Sequence, residues 1–338
     1  MAKRAIGSRL KRLWISAHRD HTAHRNHSGK PQGAQSSSAS GFTLLELLVA
    51  TAIGGSIIAG LMFMVVQLTN TDLRESSRSE TQREMQMALD YMSAELREAV
   101  YVYSRGENNS QELWRISQFL PESIVSNNSV PVLAFWKYHR YPESIQQRCR
   151  SQTTQQTADI SSCESGASYS LVVYSLSTAN PNNIWSNNAR ITRYALTEFD
   201  NQGNLTPGYV NPGQQQNNFE GWTPTTGQLG GTPVTLVDYV DITPPGNTEP
   251  TCPPGYTNAL TPNPNMMPQA LRRVRSFYAC VQRRLNNSQN QDVALFVRGS
   301  VRGRPGYTIA GFSQTRDALP TLETRVLTRG ALGRTPPQ

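Results

Sequence analysis

From residue 47 to residue 71 the chain runs for 25 residues without a charged side chain. Leu47, Leu48, Val49, Ile53, Ile57, Ile58, Leu61, Met62, Phe63, Met64, Val65 and Val66 make the run apolar. A helix that crosses a bilayer needs about 20 such residues, so this one is long enough. One residue departs from a plain anchor. Glu46 lies inside the apolar segment that begins at Phe42. A carboxylate at the centre of a membrane helix costs about 2.5–3.5 kcal/mol on insertion scales. It therefore calls for a partner, such as an amine.

The charge balance gives the run a direction. Residues 1–41 hold eight Lys and Arg against Asp20, a balance of +7 within a whole-chain net charge of +8. The remainder is close to neutral, so the high isoelectric point does not mark a nucleic-acid-binding domain. The basic flank precedes the apolar run, which places the tail in the cytoplasm and exports the C-terminal part. A secretory signal peptide carries its small residues after the apolar core. Here Ser36 to Gly41 come before it, which fits a processing site on the cytoplasmic side. Residues 15–40 are rich in Ser, Gln and His and too polar to fold alone.

Gly41-Phe42-Thr43-Leu44-Leu45-Glu46-Leu47 resembles the class III signal of type IV prepilins and type II secretion pseudopilins. The likeness covers about 30 residues, with basic leader, Gly, Phe, Glu and apolar run in register. It implies that a prepilin peptidase cuts between Gly41 and Phe42 and N-methylates Phe42. It also implies that Glu46 pairs with the N-terminal amine of a neighbouring subunit during assembly. An amine on a staggered neighbour, offset by roughly 6–8 Å, would supply the missing charge. The competing reading is an ordinary signal anchor. Gly54, Gly55 and Gly60 permit close helix packing and local unwinding, or reflect only how common glycine is in membrane helices.

Beyond Asn70 the helical pattern turns amphipathic. Met85, Leu89, Met92, Leu96 and Val100 recur every three or four residues. No proline interrupts residues 42–104, and a helix over 42–103 would be roughly 90 Å long. The expected organisation is a leader at 1–41 that is removed, a membrane or filament-core helix at 42–71, its amphipathic continuation at 72–103, and an exported head at 104–338. The apolar stripe is read as contact with that head.

In the head, short β-like runs at 130–138, 169–177, 189–196, 234–242, 292–298 and 322–328 alternate with polar stretches. Residues 200–232 and 242–268 read as long loops. The fold class is therefore α+β and pilin-like: a long N-terminal helix packed on an antiparallel sheet with long loops. The four cysteines, Cys149, Cys163, Cys252 and Cys280, all lie in the head, as an oxidising compartment allows. Three connectivities exist. Sequence proximity favours Cys149 with Cys163 and Cys252 with Cys280. No ligand spacing suits zinc.

Other candidates carry less. Arg272, Arg273, Arg275, Arg283 and Arg284, with Phe277 and Tyr278 between them, form either a grip for an anionic polymer or a solvated face. Asp238 and Asp241 are weak candidates for calcium. Four of the five histidines sit in the tail, leaving His139 for the body. No phosphate loop or nucleophile motif is present. The expectation is a subunit without catalytic centre or cofactor.

Three groups of pilin-like proteins share further features. Asp292-Val-Ala-Leu-Phe-Val-Arg298 resembles W-type minor pilins and J-type minor pseudopilins. Met87-Ala-Leu-Asp-Tyr-Met92, Ala99-Val-Tyr-Val-Tyr103, Val130-Pro-Val-Leu-Ala-Phe-Trp-Lys137, Tyr169-Ser-Leu-Val-Val-Tyr174 and Trp185-Ser-Asn-Asn-Ala-Arg190, with Asp72, resemble pseudopilins of the hormogonium polysaccharide secretion system in filamentous cyanobacteria. This likeness implies a minor subunit that supports polysaccharide secretion and gliding motility. Its partners would be the prepilin peptidase, other pilin or pseudopilin subunits, an inner-membrane assembly platform and the secreted polysaccharide, with no nucleic acid. It would sit as a single-pass protein of the plasma membrane, head in the periplasm, before joining a pilus or pseudopilus. The rivals are a W-type minor pilin for assembly, adhesion or DNA uptake, a J-type pseudopilin, and a signal-anchored periplasmic enzyme.

Overall fold

The structure is a computed structural model that describes residues 41–104, 112–151, 163, 165–214, 219–225, 227, 229–242, 252–259, 276–282, 290–307 and 317–329. The chain divides into two units, residues 1–60 and 61–338. The described part of the first is helical from Leu44 onward, and its side chains are exposed almost throughout.

Helix α1 spans Leu44–Arg97. No proline removes an amide donor along it. In the second unit its surface changes character. Leu61 to Val66 and Leu68 are exposed. Ser77, Thr81, Met85, Ala88, Leu89, Met92, Ser93, Glu95 and Leu96 are buried. Spacings of three and four put these on one face, which is the stripe that packs on the head.

The helix ends earlier than the sequence pattern suggests. Residues 98–103 are not helical. The Glu98 amide closes back on the Glu95 carbonyl at 3.0 Å, an i to i−3 bond that tightens the last turn. Ala99–Val102 then forms strand β1, whose Val102 pairs with Phe135. The β-branched and aromatic side chains of Val100, Tyr101 and Val102 suit a pleated surface better than a helix.

Among the described residues there are nine strands, all paired antiparallel. They are β1, β2 (Ser129–Arg140), β3 (Ala167–Ser177), β4 (Ala189–Leu196), β5 (Val234–Val240), β6 (Tyr256–Asn258), β7 (Phe277–Gln282), β8 (Asp292–Ser300) and β9 (Ala318–Leu327). The order is β1-β2-β3-β4-β5-β8-β7-β6, with β9 also on β8. Two short helices, α2 (Glu112–Ser117) and α3 (Glu143–Arg150), flank β2. The six strands expected from sequence are present with slightly shifted ends. Strands β1, β6 and β7 and both short helices were not expected. Pro131 in β2 lies at a register shift, where no β1 residue pairs with it. A residue without an amide proton is tolerated there.

Every residue of β3 is buried, so both faces of the sheet are covered there. Helix α1 covers one. The polar stretch 200–232 contributes to the rest of the core: its described residues belong to none of the nine strands, but they carry Phe219 and Trp222 inward. Trp222 is fully buried, lies 5.2 Å from the Trp136 ring and donates to the Val210 carbonyl at 2.7 Å. Trp136 donates to the Tyr103 hydroxyl, which donates to the Phe219 carbonyl.

The helix is fastened to the sheet by Glu95, which is buried. Its carboxylate accepts from Tyr174 at 2.5 Å and from the Arg193 Nε and Nη2 at 2.8 Å each. The Lys137 ammonium lies at 2.9 Å. One side chain thus engages β2, β3 and β4. Burial alone would raise its pKa, but the bonds from Arg193, Tyr174 and Lys137 outweigh it and lower the value from 4.5 to about 2. The stabilisation is therefore complete above about pH 4.5 and lost as pH falls toward 2, a total of about 3 kcal/mol. Glu95→Gln should lower head stability by about 3 kcal/mol and flatten the acid limb of unfolding between those pH values. Denaturant unfolding across that range checks it; an unchanged acid limb would contradict the clamp.

Candidate functional site

The first turn of α1 is built by Thr43. Its hydroxyl accepts the Glu46 amide at 3.2 Å, and its carbonyl accepts the Leu47 amide at 3.2 Å. Thr43 and Glu46 stand in the T-x-x-E pattern of a helix start, with the side-chain cap on the third helical residue. Glu46 is thereby fixed in the first turn, where a carboxylate is favoured by the helix dipole. It is exposed, as are Phe42, Leu44 and Leu45 at 79%, 84% and 71%. Gly41 precedes the helix, and a side chain added there would meet nothing within 4 Å.

The apolar part of the helix is unburied, and the helix is long and apolar enough to cross a membrane. Exposed leucines and isoleucines at this density need a cover, whether lipid or neighbouring helices. Gly54, Gly55 and Gly60 are open to that cover, with nothing within 4 Å of an added Cβ.

Residues 36–62 match the prokaryotic N-terminal methylation motif. The chain carries a type IV pilin-like signal. No curated protein and no solved structure matches it. The matched segment contains Gly41, Phe42, Thr43 and Glu46. Such a signal implies processing by a prepilin peptidase and assembly with other pilin subunits, and it belongs to structural subunits rather than enzymes. With the apolar helix it fits a single-pass, membrane-anchored protein.

In the head the cysteines pair as Cys149–Cys163 and Cys252–Cys280. Cys149 lies in the last turn of α3, and its bridge packs on Tyr141, Ile145 and Phe199. Cys280 lies in β7 and holds Cys252, which precedes β6. Each bridge ties a polar segment to an element with a core.

The remaining candidates separate. The five clustered arginines, Arg272, Arg273, Arg275, Arg283 and Arg284, lie outside the described residues. Of the aromatics between them, Phe277 is buried in the main core, and Tyr278 stacks on Phe296 at 4.5 Å. Strand alternation sends the two rings to opposite faces, so they do not form one stacking platform. Asp238 accepts from the Ser186 amide at 2.8 Å, the Ser186 hydroxyl at 2.7 Å and the Tyr239 amide at 2.8 Å. Asp241 pairs with Arg298 at 2.6 Å. Both carboxylates are thus engaged by the protein. Among the described residues no three His, Cys, Asp or Glu could hold a metal ion. The pKa of His139 is pushed down by burial and by the charges of Lys137 and Arg193.

Sequence reasoning missed two residues that the structure makes central. Thr43 had a readable signal in its spacing to Glu46. Glu95 had none, because its partners lie 42, 79 and 98 residues further along the chain.

Non-reducing peptide mapping should recover both cysteine pairs. Replacing either pair by serine should cost about 3 kcal/mol of head stability in the chain-entropy account, read as a lower denaturant midpoint. An unaltered midpoint in both double variants would contradict a stabilising role.

Proposed function

We propose that the protein is a minor pilin or pseudopilin subunit of a type IV pilus-like machine. The observation that carries this reading is Glu46, an exposed carboxylate in the first turn of a helix, its backbone amide capped by Thr43, followed by 20-odd charge-free, mostly apolar and exposed residues. A cut between Gly41 and Phe42 would leave a positive amine beside an apolar helix. The same amine on a neighbouring subunit would neutralise Glu46 in a setting where water cannot. Helices then exchange lipid for one another, and the subunit leaves the membrane by joining a filament. The paired cysteines support an exported head.

The finer assignment is polysaccharide secretion and gliding in a filamentous cyanobacterium. Its support is the resemblance over 87–92, 99–103, 130–137, 169–174 and 185–190. In the structure these segments occupy the end of α1, β1, β2, β3 and the approach to β4. A W-type minor pilin or a J-type pseudopilin is favoured instead by the resemblance over 292–298, which lies in β8.

Glu46→Ala should insert in the membrane at least as well as the parent, since a penalty of about 2.5–3.5 kcal/mol is removed. It should fail to enter sheared filaments. Normal incorporation would overturn charge pairing as the assembly step. A deletion strain separates the finer readings. Loss of secreted polysaccharide and gliding, with the major pilin still made, is expected for the secretion assignment. Absent pili with unchanged polysaccharide would reject it in favour of the W-type reading.

A further inference from the structure

The loop between β3 and β4 holds two exposed apolar residues at its tip, Ile184 at 71% and Trp185 at 36%. They are held in place. The Asn180 side chain accepts the Trp185 amide at 3.2 Å and donates to the Trp185 carbonyl at 3.0 Å. Asn183 adopts φ 53°, a left-handed conformation that asparagine tolerates. Ser186 is bound to Asp238 through amide and hydroxyl. The Arg190 guanidinium lies 4.9 Å from the centre of the Trp185 ring, against one of its faces. Arg190 itself is buried and donates to the Ala179 carbonyl. The contacts of Asn180, Ser186 and Arg190 therefore hold a loop that presents an isoleucine and a tryptophan to solvent, where their apolar surface gains nothing from water.

The position of this loop along α1 bears on what could cover it. Asn188, at the end of the loop, donates to the Arg302 carbonyl at 2.8 Å. The turn that contains Arg302 lies against α1. Arg304 pairs with Glu80 and Glu84, Ser77 donates to the Pro305 carbonyl at 2.8 Å, and Arg74 donates to the Gly306 carbonyl at 3.0 Å. Further along β4, Arg193 reaches Glu95. The Ile184–Trp185 loop thus leaves the sheet at the end of the head nearest residues 74–84. Arg74 follows the end of the charge-free run at Thr71 by three residues, about 5 Å of helix. A bilayer that covered the helix as far as Thr71 would have its headgroups beside the residues that follow, close to Arg74 and this turn. Tryptophan with an apolar body and a polar edge is the side chain enriched at that depth.

We propose that the Ile184–Trp185 loop is a second membrane contact, docking into the headgroup region beside α1 while the subunit waits in the membrane. The inference rests on the single-pass reading and adds to it: the head is held against the bilayer in one orientation. Assembly then requires release of this contact as well as of the apolar helix.

The test uses full-length protein in vesicles of phosphatidylcholine and phosphatidylglycerol, with bromine on the acyl chains close to the headgroup. Tryptophan quenching by the brominated lipid is compared between the parent and Trp185→Phe, with flotation and thermal unfolding measured on both. The parent should show a quenched component that is lost in Trp185→Phe at equal unfolding temperature. Ile184→Asp, which keeps the tryptophan, should reduce that component. Equal quenching in parent and Trp185→Phe, with both floating, would overturn the loop contact and leave the membrane anchor standing. Failure of the parent to float would overturn the anchor and the loop contact with it.

Discussion

The carboxylate of Glu95 is the joint on which the head depends. The apolar stripe of α1 can slide or rotate on a sheet at little cost, because apolar contacts are non-directional. Glu95 removes that freedom. It takes hydrogen bonds from Tyr174 and Arg193 and an ion pair from Lys137, on three adjacent strands. Charge-assisted bonds of this kind have narrow geometry, so the helix has one register and one face against the sheet. The Arg304 pairs with Glu80 and Glu84 repeat the device nearer residue 77. Between these fixtures Met85, Leu89 and Met92 are packed, and a Cβ added at Gly299 would lie 3.0 Å from the side chains of Thr81 and Met85.

A single helix therefore meets two surroundings. Up to Leu68 its side chains are exposed and apolar, and from Ser77 one face is buried in the head. The residues between them, Asp72, Arg74 and Glu75, are charged, as suits the boundary between apolar cover and water. The head is fixed by directional bonds to the stretch of helix from Arg74 to Glu95.

Much of this was legible in the sequence because it rests on local pattern. The charge-free run, the lone Glu46 and the 3–4 spacing of Met85, Leu89, Met92 and Leu96 are periodic signals within one element. Strands β2, β3, β4 and β8 are short runs of β-branched and aromatic residues, and they were visible for the same reason. What was hidden depends on distant residues. The helix end at Arg97 is set by pairing of β1 with β2, which competes with a continuing helical pattern. Strand β7 was obscured by the arginines around it. Trp222 sits in a stretch of Asn, Gln, Gly and Thr that reads as solvent-exposed, yet it fills the core beside Trp136. Composition sees the polar neighbours and not the aromatics, Tyr209, Phe219 and Trp222, whose packing offsets the cost of ordering them.

The central claim is that the apolar helix is the assembly element of a processed subunit and not a permanent anchor. Intact-mass and N-terminal fragment analysis of the protein recovered from its native membrane and surface fractions tests this most directly. The account predicts a chain that begins at Phe42 with one added methyl group on its amine, and Glu46 unmodified. A chain that retains residues 1–41, or one cleaved beyond the apolar run, would contradict it.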